Sequence, residues 1–144
     1  MQNNRLKRFT YEAGVYSVLY IVIGAFGLLT FFFDSFFEST LITDPLESLI
    51  LILIAIIYFR GFLKLKSKDS LGMAYIFVAA IMGLLLGGLT FLNFAVNGFL
   101  RGTLETLPFS KIFKDYFSFS IIVGSLSIIP LKDVQSFEDK MIEK

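Results

Sequence analysis

Four long stretches of the chain contain no charged residue, and this feature constrains the fold more than any other. They cover residues 13–33, 48–59, 70–100 and 116–131. Because an α-helix rises about 1.5 Å per residue, about 20 residues cross the roughly 30 Å hydrocarbon core of a membrane. Continuous apolar runs also differ from transmembrane β-strands, in which apolar and polar residues alternate. The sequence therefore predicts an all-α membrane protein.

The composition supports this prediction. Apolar residues make up 56% of the 144 residues, charged residues make up 17%, and the mean hydropathy is +0.75. An ordinary soluble domain contains about 25% charged residues, so this chain has too few charged side chains to cover a water-facing surface.

The fold class predicted from these runs is a four-helix transmembrane bundle with short loops, forming a single domain over residues 1–144. The predicted spans cover approximately residues 12–33, 46–63, 71–96 and 115–131, followed by a cytoplasmic tail at 132–144. The third run is longer than one crossing, so we expect it to emerge into the headgroup region near Asn93 and Asn97. The fourth run has the weakest hydrophobic signal. The alternative for this run is a segment that only dips into the membrane surface.

The distribution of Lys and Arg predicts the orientation. The first loop, residues 34–47, contains neither residue type, whereas residues 60–68 contain four of them. The N-terminal segment and the tail are also basic, and short basic segments resist translocation across the membrane. These counts predict a multi-pass protein of the cell membrane with both termini in the cytoplasm. If the fourth run only dips, the third loop and the tail lie on one side instead.

Small residues recur at helical spacing in the first, third and fourth runs. In lipid, small residues let helix backbones approach closely, and packing drives helix association. We expect these three helices to pack together. The second run is bulky throughout, so we expect a peripheral helix that faces lipid. The predicted helix-packing residues are Ser17, Gly24 and Gly27, then Ala79, Gly83 and Gly87, and finally Ser120, Gly124 and Ser127.

The composition also excludes several kinds of chemistry. The chain has no His and no Cys, which excludes imidazole and thiolate metal sites, disulfides and cysteine nucleophiles. Lys and Arg together number 13 against 12 for Asp and Glu, without a basic block that would indicate nucleic acid as a partner. We therefore predict no catalytic, cofactor-binding or metal-binding residue, no cofactor, and no nucleic-acid partner.

A few carboxylates leave alternatives open. Glu12 borders the first run and could couple transport to protons, although a position in the first turn of a helix capped near Thr10 is the favoured interpretation. Asp34, Glu38 and Asp44 in the first loop could in principle serve an enzyme. Without a histidine nearby, solvated surface carboxylates explain them better.

The leading functional hypothesis is a small, non-enzymatic, multi-pass membrane protein that packs against other membrane proteins as an accessory, assembly or structural subunit. Its expected partners are the lipid bilayer and either another membrane protein or further copies of itself. The alternative is a transporter or pore-forming homo-oligomer for a small neutral or lipid-like solute, lined by Thr90, Asn93 and Asn97. The two hypotheses differ in whether that side of the third helix faces a cavity or a packed helix.

Overall fold

All regular structure in the described part of the protein is helical. The computed structural model describes residues 2–32, 45–104 and 118–133, with side chains described for 7–32, 45–100 and 118–133. The helices are α1 (Gln2–Phe32), α2 (Pro45–Lys66), α3 (Leu71–Leu104) and α4 (Phe119–Leu126). After a turn at Ser127, residues 128–133 are again helical. The all-helical class predicted from the sequence is confirmed.

Three of the described helices are long and apolar enough to cross a membrane. These candidate spans are Lys7–Phe32, Pro45–Lys66 and Leu71–Leu100. Compared with the predicted spans, α1 begins ten residues earlier, at Gln2, and α3 continues to Leu104. Thr10 is therefore not a helix cap, and that interpretation of Glu12 was wrong. The Arg8 guanidinium bonds Glu12 one turn later and supports the polar start of α1.

The connection between α2 and α3 is a tight turn that the local sequence explains. Lys68 has a φ of 60°, in the left-handed region, and the backbone amide of Leu71 donates to Oδ1 of Asp69 at 3.0 Å. Asp69 therefore caps α3. The Lys64 ammonium at 2.9 Å and this amide lower the pKa of the Asp69 carboxyl. The resulting stabilisation is present above the carboxyl pKa of the unfolded chain, and it is lost as pH falls through the lowered folded pKa.

At its other end, α2 begins at Pro45, whose fixed φ suits the first helical position, and it carries Glu47 in its first turn, where a carboxylate is favoured by the helix dipole.

Helix α2 lies between α1 and α3, so the expectation that it is peripheral was wrong. It buries Leu51, Ile54, Ala55 and Tyr58 completely or nearly so. The small residues of α1 make room for its bulky side chains. A Cβ on Gly24, for example, would lie 2.8 Å from a side-chain carbon of Ile52. A bulky helix is thus central when its neighbours supply the small residues.

Helices α3 and α4 make the closest backbone approach described in the bundle. A Cβ on Gly87 would lie 2.8 Å from Cα of Gly124, and one on Gly124 would lie 2.6 Å from Cα of Gly87. Since backbone atoms cannot move aside as a flexible side chain can, both positions require glycine.

The chain ends of the described bundle can be placed by cross-helix contacts. The Arg8 guanidinium binds Asp133 at 2.8 Å, and a Cβ on Gly14 of α1 would lie 3.3 Å from the ring of Phe62, near the end of α2. The start of α1, the 67–70 turn and residue 133 therefore share one end of the bundle, which we call the basic end. Neighbouring helices are antiparallel.

The last part of α3 extends beyond the described parts of the other helices at the opposite end. Gly87 is level with Gly124, and Ser118 lies six residues before Gly124, so Ser118 is level with Asn93. Residues 94–104 then continue for about 16 Å past that level. Helix α3 thus continues beyond residue 96, the predicted end of the third span, and within this part the side-chain amide of Asn97 donates to the backbone carbonyl of Asn93.

The contact between Gly87 and Gly124 can be tested with an adjacent glycine as the control. Gly87→Ala should lower the free energy of unfolding by about 1 to 3 kcal/mol, because the new methyl group meets backbone atoms of α4. At Gly88, no atom of another described helix lies within 4 Å of the position that a Cβ would occupy. Gly88→Ala should leave stability unchanged or raise it by up to about 1 kcal/mol through helix propensity. Denaturant titration of both variants in mild detergent measures the difference, and equal stability of the two would contradict the close contact.

Candidate functional site

A proline near the end of the described chain opens the helix in the middle of the bundle. Pro130 has no backbone N–H, so it cannot donate to the carbonyl of Leu126, four residues earlier. The hydroxyl of Tyr16 on α1 donates to that carbonyl at 2.9 Å. Because water is absent from a hydrocarbon core, an unpaired carbonyl there is expensive. Tyr16 thus replaces the missing helical bond and links α1 to the helix break.

A second tyrosine binds the same break one turn farther along α1. The Tyr20 hydroxyl donates to the carbonyl of Val123 at 3.2 Å and lies 2.5 Å from the hydroxyl of Ser127. Gly83 of α3 faces this pair, and a Cβ there would collide with both hydroxyl groups. Because Gly83 has no side chain, the Tyr20 hydroxyl fits between α3 and α4.

Tyr58 of α2 completes the centre of the bundle. Its ring lies 5.5 Å from the Tyr16 ring and 5.6 Å from the Tyr20 ring, centroid to centroid, and it is fully buried. Among the described residues its hydroxyl has no hydrogen-bond partner, and the same is true of Ser120. We call Tyr16, Tyr20, Tyr58 and Ser127 the tyrosine core. This core fills the space between α1, α2 and the helix break.

Charged side chains cluster at the basic end, one to three turns from the tyrosine core. Arg8 lies 2.7 Å from Glu12 and 2.8 Å from Asp133, with its side chain 65% exposed. The second oxygen of Glu12 is buried without a partner among the described residues. The Arg8 side chain therefore lies on the surface of the bundle and joins α1 to Asp133, the last residue of the described chain.

The predicted packing residues fall on two separate contacts. Ser17 and Gly24 face α2, where the Ser17 hydroxyl donates to the Ala55 carbonyl at 3.1 Å. Gly27 is also buried, and its carbonyl accepts a bond from the Thr30 hydroxyl. On α3 and α4, the structure brings together Gly83, Gly87, Ser120, Gly124 and Ser127. Ala79 is fully buried within the core.

The residues proposed for a solute pathway all lie on α3, and their described hydrogen bonds stay within that helix. The hydroxyl of Thr90 donates to the carbonyls of Leu86 and Gly87, both on its own helix. Asn93 is exposed, and Asn97 bonds to it. Asp34, Glu38 and Asp44 of the alternative enzyme hypothesis lie outside the described residues. Within the described ranges, no group of three or more acidic residues is placed to hold a metal ion.

An open apolar groove of about 800 Å³ runs along the outside of the bundle between α1 and α2. Two phenylalanines of α2 form one wall, and a line of α1 residues forms the other. The lining residues are Tyr11, Gly14, Val15, Ser17, Val18, Leu19, Val22, Ile23, Phe59 and Phe62. Because the Ser17 hydroxyl is bonded to the α2 backbone, the groove offers almost only hydrocarbon and ring surface.

The sequence of this bundle matches a known family over nearly its whole length. Residues 3–136 match the model of the MJ0565 integral membrane domain, a range that covers the four described helices except for Gln2 at the start of α1. The chain belongs to this family. It is also similar to uncharacterized protein MJ0565 of Methanocaldococcus jannaschii, with 29% identity over 120 residues, covering 82% of this chain and 78% of that protein. No solved structure matches the chain significantly. The prediction of an integral membrane protein with several transmembrane helices is confirmed.

The central role of the tyrosines in this integral membrane domain was missed by the sequence reasoning. One signal was available: Pro130 leaves the carbonyl of Leu126 without its helical donor, and a membrane helix needs a replacement from a neighbour. Which neighbour supplies the donor depends on the register between α1 and α4, which the sequence does not reveal.

The bond from Tyr16 to Leu126 predicts different effects for two tyrosine variants. Tyr16→Phe should lower the free energy of unfolding by about 1 kcal/mol, because the Leu126 carbonyl loses its donor. Tyr58→Phe is the matched control, since it removes a buried hydroxyl that has no described partner. It should be neutral or stabilising. Equilibrium unfolding in detergent compares them, and a larger loss for Tyr58→Phe would show that the assignment is reversed.

Proposed function

We propose that this integral membrane domain is a non-enzymatic subunit that packs against another membrane protein in an accessory, assembly or structural role. The observation that carries the proposal is a line of exposed apolar residues on α3. Leu85, Leu89, Leu92 and Val96 are 62%, 65%, 59% and 54% exposed. Their spacing of four, three and four residues is that of helix-pairing surfaces, in which side chains of one helix fit between those of another. We call these four residues the α3 stripe.

The position of the α3 stripe favours a protein partner. The stripe continues past Asn93, the level at which Ser118 precedes α4, so its last part is not covered by the described bundle. From Gly72 to Asn93, α3 is about 32 Å long, which already matches the hydrocarbon core. Val96, the last residue of the stripe, lies beyond that depth, where its apolar side chain would face headgroups or water. A partner helix that pairs with the stripe would cover it.

The contacts between the described helices give further support. Tyrosine rings and glycine backbone contacts occupy the space between the described helices, and Thr90 and Asn97 bond to α3 itself. The discriminating observation between the two hypotheses is therefore that the small side of α3 meets a packed helix at Gly83 and Gly87. A solute pathway along the same side has no comparable support.

The same proposal includes four membrane crossings with both termini in the cytoplasm. The ion pair between Arg8 and Asp133 supports an even number of crossings, because it joins the two ends of the described chain. Lys64, Lys66 and Lys68 lie at this basic end as well, and positively charged short segments stay in the cytoplasm. The cell membrane is the expected location.

The orientation can be tested by labelling single cysteines, because the chain has none of its own. We expect Lys68→Cys and Lys132→Cys to react with a membrane-impermeant maleimide only after the cells are opened. Leu46→Cys, at the opposite end of α2, should react in intact cells. Labelling of position 132 from outside, with position 68 protected, would instead support a fourth segment that only dips into the membrane.

Extraction in mild detergent followed by mass spectrometry of the intact assembly tests the partner. A different membrane protein should accompany the chain at fixed stoichiometry. A photo-reactive amino acid at Leu89 should crosslink to that partner, whereas one at Leu53, which is 49% exposed on α2, should not. A chain that runs alone or only with further copies of itself, and gives no crosslink to another protein at Leu89, would contradict the proposal.

A further inference from the structure

Two lysines stand at one end of the α1–α2 groove. Lys7 lies four residues before Tyr11 on α1, and Lys66 lies four residues after Phe62 on α2. On a helix, residues four apart are neighbours on one face, so each lysine continues a groove wall. Because α1 and α2 are antiparallel, both lysines lie at the basic end. Two positive charges therefore flank the same mouth of an apolar groove.

The two lysines also lie beyond the uncharged runs of their helices. Lys7 precedes the run 13–33 by six residues, and Lys66 follows the run 48–59 by seven residues, so both ammonium groups can reach the level of the headgroups. Tyr11, which is 74% exposed at this mouth, is a residue type enriched at that level. The Lys66 ammonium lies 6.0 Å from the centre of the Phe62 ring. The ion pairs of the described residues are made by Arg8 and Lys64. Neither Lys7 nor Lys66 takes part in one of these pairs.

The length of the groove matches one leaflet of a bilayer. Tyr11 and Ile23 are the outermost α1 residues of the lining, and they are twelve residues apart. This distance is about 18 Å along the helix, compared with about 15 Å for half of the hydrocarbon core. A transmembrane helix of another protein would continue through the second leaflet. A single lipid chain ends where the groove ends.

We propose that the groove between α1 and α2 binds one anionic phospholipid, with a hydrocarbon chain along Val15, Val18 and Val22 and the phosphate between Lys7 and Lys66. The apolar lining fits the chain, and the two ammonium groups complement the negative headgroup. Gly14 assists at the mouth, since the position of a Cβ there lies 3.3 Å from the Phe62 ring, which closes over the glycine. This site is on a different face of the bundle from the α3 stripe.

Native mass spectrometry of the full chain with added lipids tests the site. The probes are phosphatidylglycerol and phosphatidylcholine with identical chains, supplied at equal concentration. We expect one phosphatidylglycerol per chain to be retained, with a preference of about 30-fold from the two lysines at low salt. Equal retention of both lipids would overturn the proposal.

Variants separate the headgroup contacts from the chain contacts. Lys7→Gln combined with Lys66→Gln should reduce the preference to nearly one, whereas Lys68→Gln, in the 67–70 turn, should keep it. Val15→Trp should block retention of both lipids by filling the groove. Val78→Trp is the matched control, because Val78 on α3 is 47% exposed and Val15 is 44% exposed. Retention by Val15→Trp at the unaltered level would contradict the groove as the site.

A crosslink provides a second measurement that does not depend on the folding of the tryptophan variant. A photo-reactive amino acid at Val18 in native membranes should form an adduct with a phospholipid. An adduct with another protein, or with a second copy of the chain, would identify a different occupant and overturn the proposal. The unfolding of Val15→Trp is measured beside that of the unaltered protein. Equal stability of the two shows that a loss of bound lipid does not come from a loss of structure.

Discussion

The hydrogen bond from the Tyr16 hydroxyl to the Leu126 carbonyl satisfies a backbone group that Pro130 leaves without its helical donor. In hydrocarbon this constraint is strict, because no water can take the place of the missing amide. Once Tyr16 is held there, Tyr20 reaches Val123 and Ser127 one turn away, and both rings pack against Tyr58. The order of the bundle around its centre depends on these contacts.

Glycine and tyrosine act together in this arrangement. Gly83 leaves space for the Tyr20 hydroxyl, while Gly87 and Gly124 let α3 and α4 touch through their backbones. These contacts bring α4 near enough to α1 for the tyrosine bonds to form. Two features differ on the surface of the bundle. The α3 stripe is apolar and continues past the described parts of the other helices, whereas the α1–α2 groove is short and ends at two lysines. The two proposals therefore concern separate faces and different occupants.

Several features were predictable because they depend on local sequence. The start of α2 at Pro45 follows from the fixed φ of proline, and the turn after Lys66 follows from the capping ability of Asp69. The roles of Tyr16 and Tyr58 were not predictable, since a tyrosine in an apolar run has the same local signal whether it is central or exposed. Helix α2 was assigned to the periphery for a related reason. Its bulky residues pack against small residues of α1, such as Gly24, that are distant in the sequence.

By itself, the sequence determined that this is a helical membrane protein. The length of its uncharged runs and the need of every backbone group for a partner in lipid leave no other arrangement as favourable. It also determined which positions carry glycine and proline. Only the tertiary structure decided that Gly83 faces Tyr20, that Gly87 meets Gly124, and that α2 lies between α1 and α3. The reason is that the register and the neighbours of a helix depend on how its surface fits the surfaces of other segments. The pattern along one segment describes only one of the two surfaces in each contact.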